Sequence, residues 1–342
     1  KFIKKSIRNV ELCLIKEFDI YKTVELNIDG IKIDIASARE EVYSAPGENP
    51  LIKDSTIEKD LKRRDFTINS IAFEPLGKQI IDLYEGITHI NSKELHLLHS
   101  NSVIDDPSRI LRCAKYASRL GFDISKTALY QSQRAINMWP WKYEKNDTGI
   151  KFPPAISIRL RMELAGIIIN DDLSKIISLL YKWEAIALIN KNIKADCKYL
   201  RGLHWIKKID GNLILYLLKD SENLEYSFQR FYISSNEKKI LKSYIQFKEI
   251  LKKNIQKFEN LSPSEWTNFI EENNIHKDAI KLLISDGGDF WRPLFKWLFI
   301  YKFVKSNKNG FELKEQGWME GKDIGDELKR LRFIQIDNLN TH

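Results

Sequence analysis

Five groups of side chains in this sequence have the types and spacings that phosphate or nucleotide chemistry uses. Arg63-Arg64-Asp65-Phe66-Thr67-Ile68-Asn69 sets two guanidinium groups beside an Asp and an Asn. Guanidinium forks match phosphate oxygens two at a time, and the Asp and Asn can hold an arginine or bond a ribose hydroxyl. The same heptapeptide also reads as a charged helix start. In Asp105-Asp106-Pro107-Ser108-Arg109, Asp106 and Arg109 are three apart and so neighbours on one helix face. Together they offer a carboxylate acceptor and a donor fork for the edge of a base. Asp before Pro is also an ordinary helix cap, and the two roles are compatible. Arg159 and Glu163 stand four apart on a helical stretch, either as site residues or as a weak surface pair. Asp34 lies between Ile33 and Ile35. On a strand its carboxylate faces away from both neighbours, where it either meets a hard cation through oxygen or is simply exposed. Last, Lys191, Lys194, Lys198, Arg201, Lys207 and Lys208 interleave with Tyr199, His204 and Trp205. That mixture suits RNA, with lysines on phosphates and aromatics on bases, and equally suits a solvated basic face over buried rings.

The elements that must position these groups fall into two unlike halves. FDIYKTVELNI (18–28) and IKIDIAS (31–37) alternate apolar and polar residues around Asp29-Gly30, which predicts a hairpin. Pro46-Gly47 and Pro50 predict a loop over 40–58. Residues 60–74 are expected to open as a helix and end apolar, and 80–86 to form a strand closed by Gly86. From about 103 the periodicity is helical, with Ile110, Ala114 and Ala117 on one face and Gly121 as the stop. A loop is expected over 137–154. Helices are expected over 156–169, 173–190, 212–219, 236–258, 264–272 and 289–305, the lysines of 238–257 forming a solvated face. The predicted fold class is α+β, an α/β head followed by an all-helical remainder.

Bulk properties narrow the classes of function. The chain has 342 residues, 43% of them hydrophobic, and a net charge of +8. That is enough for two or three domains and too apolar for wholesale disorder. The charge suits a partner bearing phosphate. Cys13, Cys113 and Cys197 are far apart and odd in number, so neither a zinc site nor a full disulfide framework is expected. Free thiols in a cytoplasmic protein are the plain reading. No apolar run reaches membrane-spanning length, no signal peptide is read, and no obligate protein partner is evident.

RRDFTIN, preceded by IDIASAREEVY (33–43) and the Pro-Gly loop, resembles the head signature of class II tRNA nucleotidyltransferases, the family of CCA-adding enzymes and bacterial poly(A) polymerases. IIDLYEGITHI (80–90) is similar to the next family segment, with His89-Ile90 where Asp-Leu is usual. DDPSR resembles the EDxxR motif that reads the incoming base, with Asp105 in place of Glu. Arg159 and Glu163 match an ERxxxE-like segment in which Ile158 replaces the first Glu. GKDIGDELKRL (321–331) resembles a C-terminal Gly-rich turn of the family.

The resemblance implies a polymerase-β-like head over 1–95, a helical neck that recognises the base over 96–170, and an RNA-binding helical body and tail over 171–342. The implied reaction joins ATP and possibly CTP to a tRNA 3′ end with release of pyrophosphate, assisted by Mg²⁺. The nucleotide-binding set is Arg63, Arg64, Asp65, Asn69, Asp106, Arg109, Arg112, Arg159 and Glu163. Asp34 is the candidate catalytic and metal-binding carboxylate, and the six basic residues of 191–208 are the RNA set. The loop between Ala36 and Leu61 has the family's full length, which points away from CC-only addition and leaves CCA and A-only addition open. Poly(A) polymerase and a catalytically dead RNA-binding relative are the alternatives. The family's GGxVRD and DxD motifs occur nowhere in the 342 residues, which leaves two expectations: the segment that carries them precedes Lys1, or it has been lost, as in a dead relative. A chain beginning at Lys1 is therefore expected to add no nucleotide when incubated with labelled ATP or CTP, Mg²⁺ and tRNA lacking its 3′ end. Incorporation that Asp34→Ala abolishes would contradict this.

Overall fold

The computed structural model describes residues 12–18, 22–138 and 152–339. It divides into two compact units, one of residues 1–172 and 182–188, the other of 173–181 and 189–342.

The first unit opens with three antiparallel strands in the order β1-β2-β3: Leu12–Phe18, Thr23–Ile28 and Ile31–Ala36. Asp29 and Gly30 both take positive φ at the β2–β3 turn, as the predicted Asp-Gly hairpin requires. The segment 40–58, expected to be a loop, instead contains a second hairpin, β4 Arg39–Val42 with β5 Leu51–Asp54, and only its tip is irregular. Arg39-Glu40-Glu41-Val42 carries too much charge to read as a strand. Its order comes from partners far along the chain, including the backbone N–H of Arg39 donating to Asp60 at 3.2 Å.

Residues 60–74 open as a helix and end apolar as expected, with a turn between. The helix is Ile57–Lys62, a 3-10 turn follows at Thr67–Asn69, and β6 is Ile71–Glu74, paired with β7 Gln79–Asp82. Asp65 breaks the helix by accepting from the Phe66 N–H and the Asn69 amide at 2.9 and 3.0 Å. An Asp that bonds its own neighbouring backbone competes with helix continuation. Gly86 opens a helix, Gly86–Ser92, where a strand end was expected. Asp82 accepts from the N–H groups of Gly86 and Ile87 at 2.8 and 2.9 Å, satisfying donors that a helix start leaves orphaned.

The next helical stretch is in two pieces, Ser102–Asp105 and Ser108–Leu120, divided at Asp106-Pro107. Gly121 closes it in the left-handed region as expected. β8 Glu94–Leu95 pairs in parallel with β9 Asp123–Ile124, and the helices Lys126–Met138 and Pro154–Asn170 complete the unit. Most of the loop expected over 137–154 lies outside the described residues. The core here includes Leu61, Phe66, Leu95, Ile110, Leu111, Ala114 and Leu160.

The second unit is helical. Its main members are Cys197–Lys208, Leu213–Leu218, Ser235–Lys253, Pro263–Glu272, Lys277–Asp286, Trp291–Phe299 and Lys322–Asn338. The helix expected over 173–190 ends at Lys182 and gives way to a 3-10 turn at Ile186–Leu188. The stretch 236–258 is split at Asn254, and 289–305 is split at Ile300.

Gly86 packs against the backbone of the RRDFTIN turn. A β-carbon there would lie 2.5 Å from the Thr67 carbonyl oxygen and 2.7 Å from Ile71. Gly86→Ala is therefore expected to destabilise the first unit by about 1–3 kcal/mol through overpacking, read as a lower urea midpoint. An unchanged midpoint would show that this close approach is not needed.

Candidate nucleotide-binding site

The turn after the helix Ile57–Lys62 carries Arg63 to Asn69 into a cleft. It is anchored there by backbone bonds from Thr67 N to His96 O at 3.0 Å and from Leu98 N to Asp65 O at 3.2 Å. Phe66 is wholly buried beneath it, edge-on to Tyr116 with ring centres 5.6 Å apart. The cleft has a volume of about 780 Å³. Six arginines line it, Arg39, Arg63, Arg64, Arg109, Arg112 and Arg159, against the three carboxylates of Glu41, Asp65 and Asp106. The surplus of guanidinium suits a ligand with several phosphates.

Each arginine is held by an acceptor. Buried Asp60 accepts from Arg63 Nε and Nη2 at 3.1 and 2.8 Å and from Arg64 Nη2 at 3.3 Å. Burial raises the Asp60 pKa, but the Arg63 hydrogen bond and charge outweigh it and hold the carboxyl below the usual range. Glu41 takes Arg63 Nη1 at 2.9 Å and Arg39 Nε at 3.2 Å. Arg112 meets buried Asp65 at 2.7 Å, with Glu163 behind it at 3.8 Å. Opposite charges at these distances offset part of the cost of removing each guanidinium from water.

The Arg109 N–H donates to the Asp106 carbonyl at 3.1 Å, but the two side chains turn to other partners. Asp106 accepts from the Ser108 N–H and hydroxyl at 3.1 and 2.6 Å, a capping arrangement, and its other oxygen faces Arg159 Nε at 3.3 Å. Arg109 donates to the Ser102 hydroxyl at 2.7 Å and the Arg63 carbonyl at 3.1 Å. Its buried Nε has no hydrogen-bond partner among the described residues. Arg159 reaches the tip of the β4–β5 hairpin, donating to Gly47 O at 2.9 Å and Asn49 Oδ1 at 3.3 Å. Tyr43 lies against this cluster, its hydroxyl pushed up to about 12, chiefly by burial.

The structure thus gathers Arg63, Arg64, Asp65, Asn69, Asp106, Arg109, Arg112 and Arg159 around one cleft. Glu163 is outside the lining. It pairs with Lys115 at 3.0 Å and backs Arg112, and among the described residues no ion pair joins it to Arg159, which was one of the two readings of that spacing. Arg39, Glu41 and Tyr43 line the cleft and were missed because Arg39 and Glu41 lie on a strand that its charge hides, and Tyr43 lies just past its end. Asp60 was missed because an acidic residue in a first helical turn reads as an ordinary dipole partner.

Asp34 lies apart from the cleft lining, on a β3 strand whose residues are all exposed, opposite Glu25 in the register. No group of three or more His, Cys, Asp or Glu among the described residues converges to hold a metal. Among the described residues Asp34 therefore has no two further metal-ligating side chains converging on it. The basic set of 191–208 is also dispersed. Lys191 pairs with Glu222 at 3.0 Å, Lys208 lies 5.3 Å from the Trp205 ring, and Lys198 and Arg201 line a separate pocket of the second unit.

Residues 2–96 match the model of the Poly A polymerase head domain. An A-adding tRNA nucleotidyltransferase of Aquifex aeolicus (strain VF5) is 27% identical over 92% of this chain, which spans 39% of that relative. One of Geobacter sulfurreducens is 34% identical over 39% of this chain and 16% of its own length. The chain thus spans well under half the length of these curated relatives. Among solved structures, a CCA-adding enzyme in an apo form matches 96% of this chain and 78% of its own at a TM-score of 0.71 and 24% identity. The Thermotoga maritima CCA-adding enzyme complexed with tRNA matches 98% and 80% at 0.70 and 23%. These structures share the fold. The head match covers residues 2–96, and over the rest of its length the chain is similar to tRNA nucleotidyltransferases.

His99 faces Arg109 across 3.4 Å. Burial first, then the Arg109 and Lys62 charges, lower its pKa to about 4. The unfolded imidazole takes up a proton near 6.5 while the folded one does not, so stability falls as pH drops from about 6.5 towards 4. His99→Gln is expected to flatten that fall. An NMR titration should place His99 near 4 and move it upward in Arg109→Ala. A wild-type midpoint near 6.5 would contradict the arrangement.

Proposed function

We propose that the cleft binds a nucleoside triphosphate for transfer of its nucleotide to the 3′ end of tRNA. The observation that carries this is the convergence of the RRDFTIN turn, the Asp106–Arg112 segment and Arg159 on one arginine-lined cavity. In this reading Arg63, Arg64 and Arg112 neutralise phosphate oxygens, and Asp65 and Asn69 fix the turn that presents them. Asp106 and Arg109 meet the base edge, with the unpartnered Arg109 Nε as a donor and Arg159 holding the Asp106 carboxylate in place. Two buried groups locked by their own neighbours replace a nucleic-acid template, because they cost little reorganisation when the base arrives.

A divalent cation, Mg²⁺ by preference, belongs to the family's chemistry. Asp34 alone is poor support for it, and no step is assigned to it here. The basic residues of 191–208 are proposed to contact RNA phosphates. The division into head 1–95, neck 96–170 and body and tail 171–342 is retained on the same footing, as is a cytoplasmic setting. No helix among the described residues is long and apolar enough to cross a membrane.

The test is equilibrium binding of ATP, CTP, GTP and UTP to this chain. ATP and CTP should bind better than GTP and UTP. Arg109→Ala should reduce that preference by roughly 10- to 150-fold, the equivalent of about 1.5–3 kcal/mol for a hydrogen bond from a charged donor. Equal affinity for all four in the wild type, or an unaltered preference in the mutant, would refute the assignment of the base-reading pair.

A further inference from the structure

The second unit contains a pocket of about 400 Å³ that the nucleotide cleft does not account for. Its walls are Trp205, Trp291 and Phe295, and its lip carries Lys198 and Arg201. The floor is made by Gly202 on the helix Cys197–Lys208, where it crosses Lys277–Asp286. A β-carbon at Gly202 would run into the Tyr216 hydroxyl and the Ser285 carbonyl, so only glycine lets the helices meet this closely. Trp291 and Phe295 lie edge to face, 6.4 Å between ring centres. Trp291 is 38% exposed despite its size.

The charge around this pocket is one-sided. Asp286, the only carboxylate in the lining, is neutralised from behind by Lys219, by Lys248 at 2.7 Å and by the Tyr244 hydroxyl at 2.5 Å. Lys198 and Arg201 are exposed and have no ion-pair partner among the described residues. Lys208 and Arg292 add positive charge 5.3 and 5.5 Å from the Trp205 and Trp291 rings. Flat aromatic walls with cations at the mouth fit a ligand that is planar and apolar on its faces and anionic at one end. A nucleobase with its phosphate has that form, since every base offers a π-face for stacking and its backbone an anion for Lys or Arg.

We propose that this pocket is a second nucleotide site, holding one unstacked nucleotide with its base against Trp205 and Trp291 and its phosphate at Lys198 and Arg201. The pocket stands on its own residues. Only the choice of RNA over a free mononucleotide as the source rests on the reading of the chain as acting on tRNA.

The test is tryptophan-fluorescence titration of the full chain with a short single-stranded RNA and, separately, with AMP and CMP. Wild type, Trp291→Ala, the double variant Lys198→Glu/Arg201→Glu and the cleft variant Arg109→Ala are compared. The charge reversals lie on exposed side chains and keep the helical circular dichroism, so they remain informative if Trp291→Ala folds poorly. The expected result is at least about fivefold weaker binding in the pocket variants, with Arg109→Ala retaining this binding. Loss confined to the RNA titration assigns the site to a strand, and loss confined to AMP and CMP assigns it to free nucleotide. Wild-type affinity for all three ligands in both pocket variants would overturn the proposal, whatever Arg109→Ala does in the cleft.

Discussion

Guanidinium groups packed side by side repel, and each loses water when buried. The first unit depends on how that cost is met. Asp60 is the central acceptor, taking two donors from Arg63, one from Arg64 and the backbone N–H of Arg39. This ties the helix Ile57–Lys62 to β4 and fixes where the following turn begins. Because Asp60 and Glu41 hold Arg63 from two sides, its backbone carbonyl is fixed as the acceptor for Arg109. The turn after the helix Ile57–Lys62 and the helix Ser108–Leu120 are therefore joined through Arg63. Removing a single carboxylate from a buried set like this leaves an uncompensated charge, which is far costlier than losing an exposed pair.

The same logic explains why the hairpin tip belongs to the site. Arg159 spans from Asp106 to the carbonyls of Gly47 and Glu48, and Gly47 N returns a bond to Asp105 O at 2.9 Å. The tip, the broken helix of residues 102–120 and the helix Pro154–Asn170 thus share one polar contact. Pro107 makes the break between its two pieces. It frees Asp106 from helical geometry, so its carboxylate can cap Ser108 and face Arg159 together.

What the sequence revealed depended on whether the deciding partner was near or far along the chain. The Asp29-Gly30 turn, the Gly121 stop and the helix through Ile110 and Ala117 were legible because neighbouring residues determine them. The clustered site residues were legible because arginines and acids recur at short spacings in two segments. The β4–β5 hairpin was not, since Arg39 and Glu41 owe their order to Asp60 and Arg63 about twenty residues later. The break after Lys62 was hidden for a related reason: Asp65 acts on its own backbone, an effect that apolar periodicity does not register. Glu163 matched its expected spacing to Arg159, yet packing turned it to Lys115 and Arg112 on another helix.

The central claim is that a nucleotide occupies the arginine-lined cleft with its base near Asp106 and Arg109. Photolabelling of this chain with an azido-adenine analogue of ATP, followed by peptide mapping, tests it most directly. Adducts are expected on segments that wall the cleft, at Tyr43, Tyr116 or Met162, suppressed by excess ATP. Competable labelling found only in other segments, with these three residues unmodified, would contradict it.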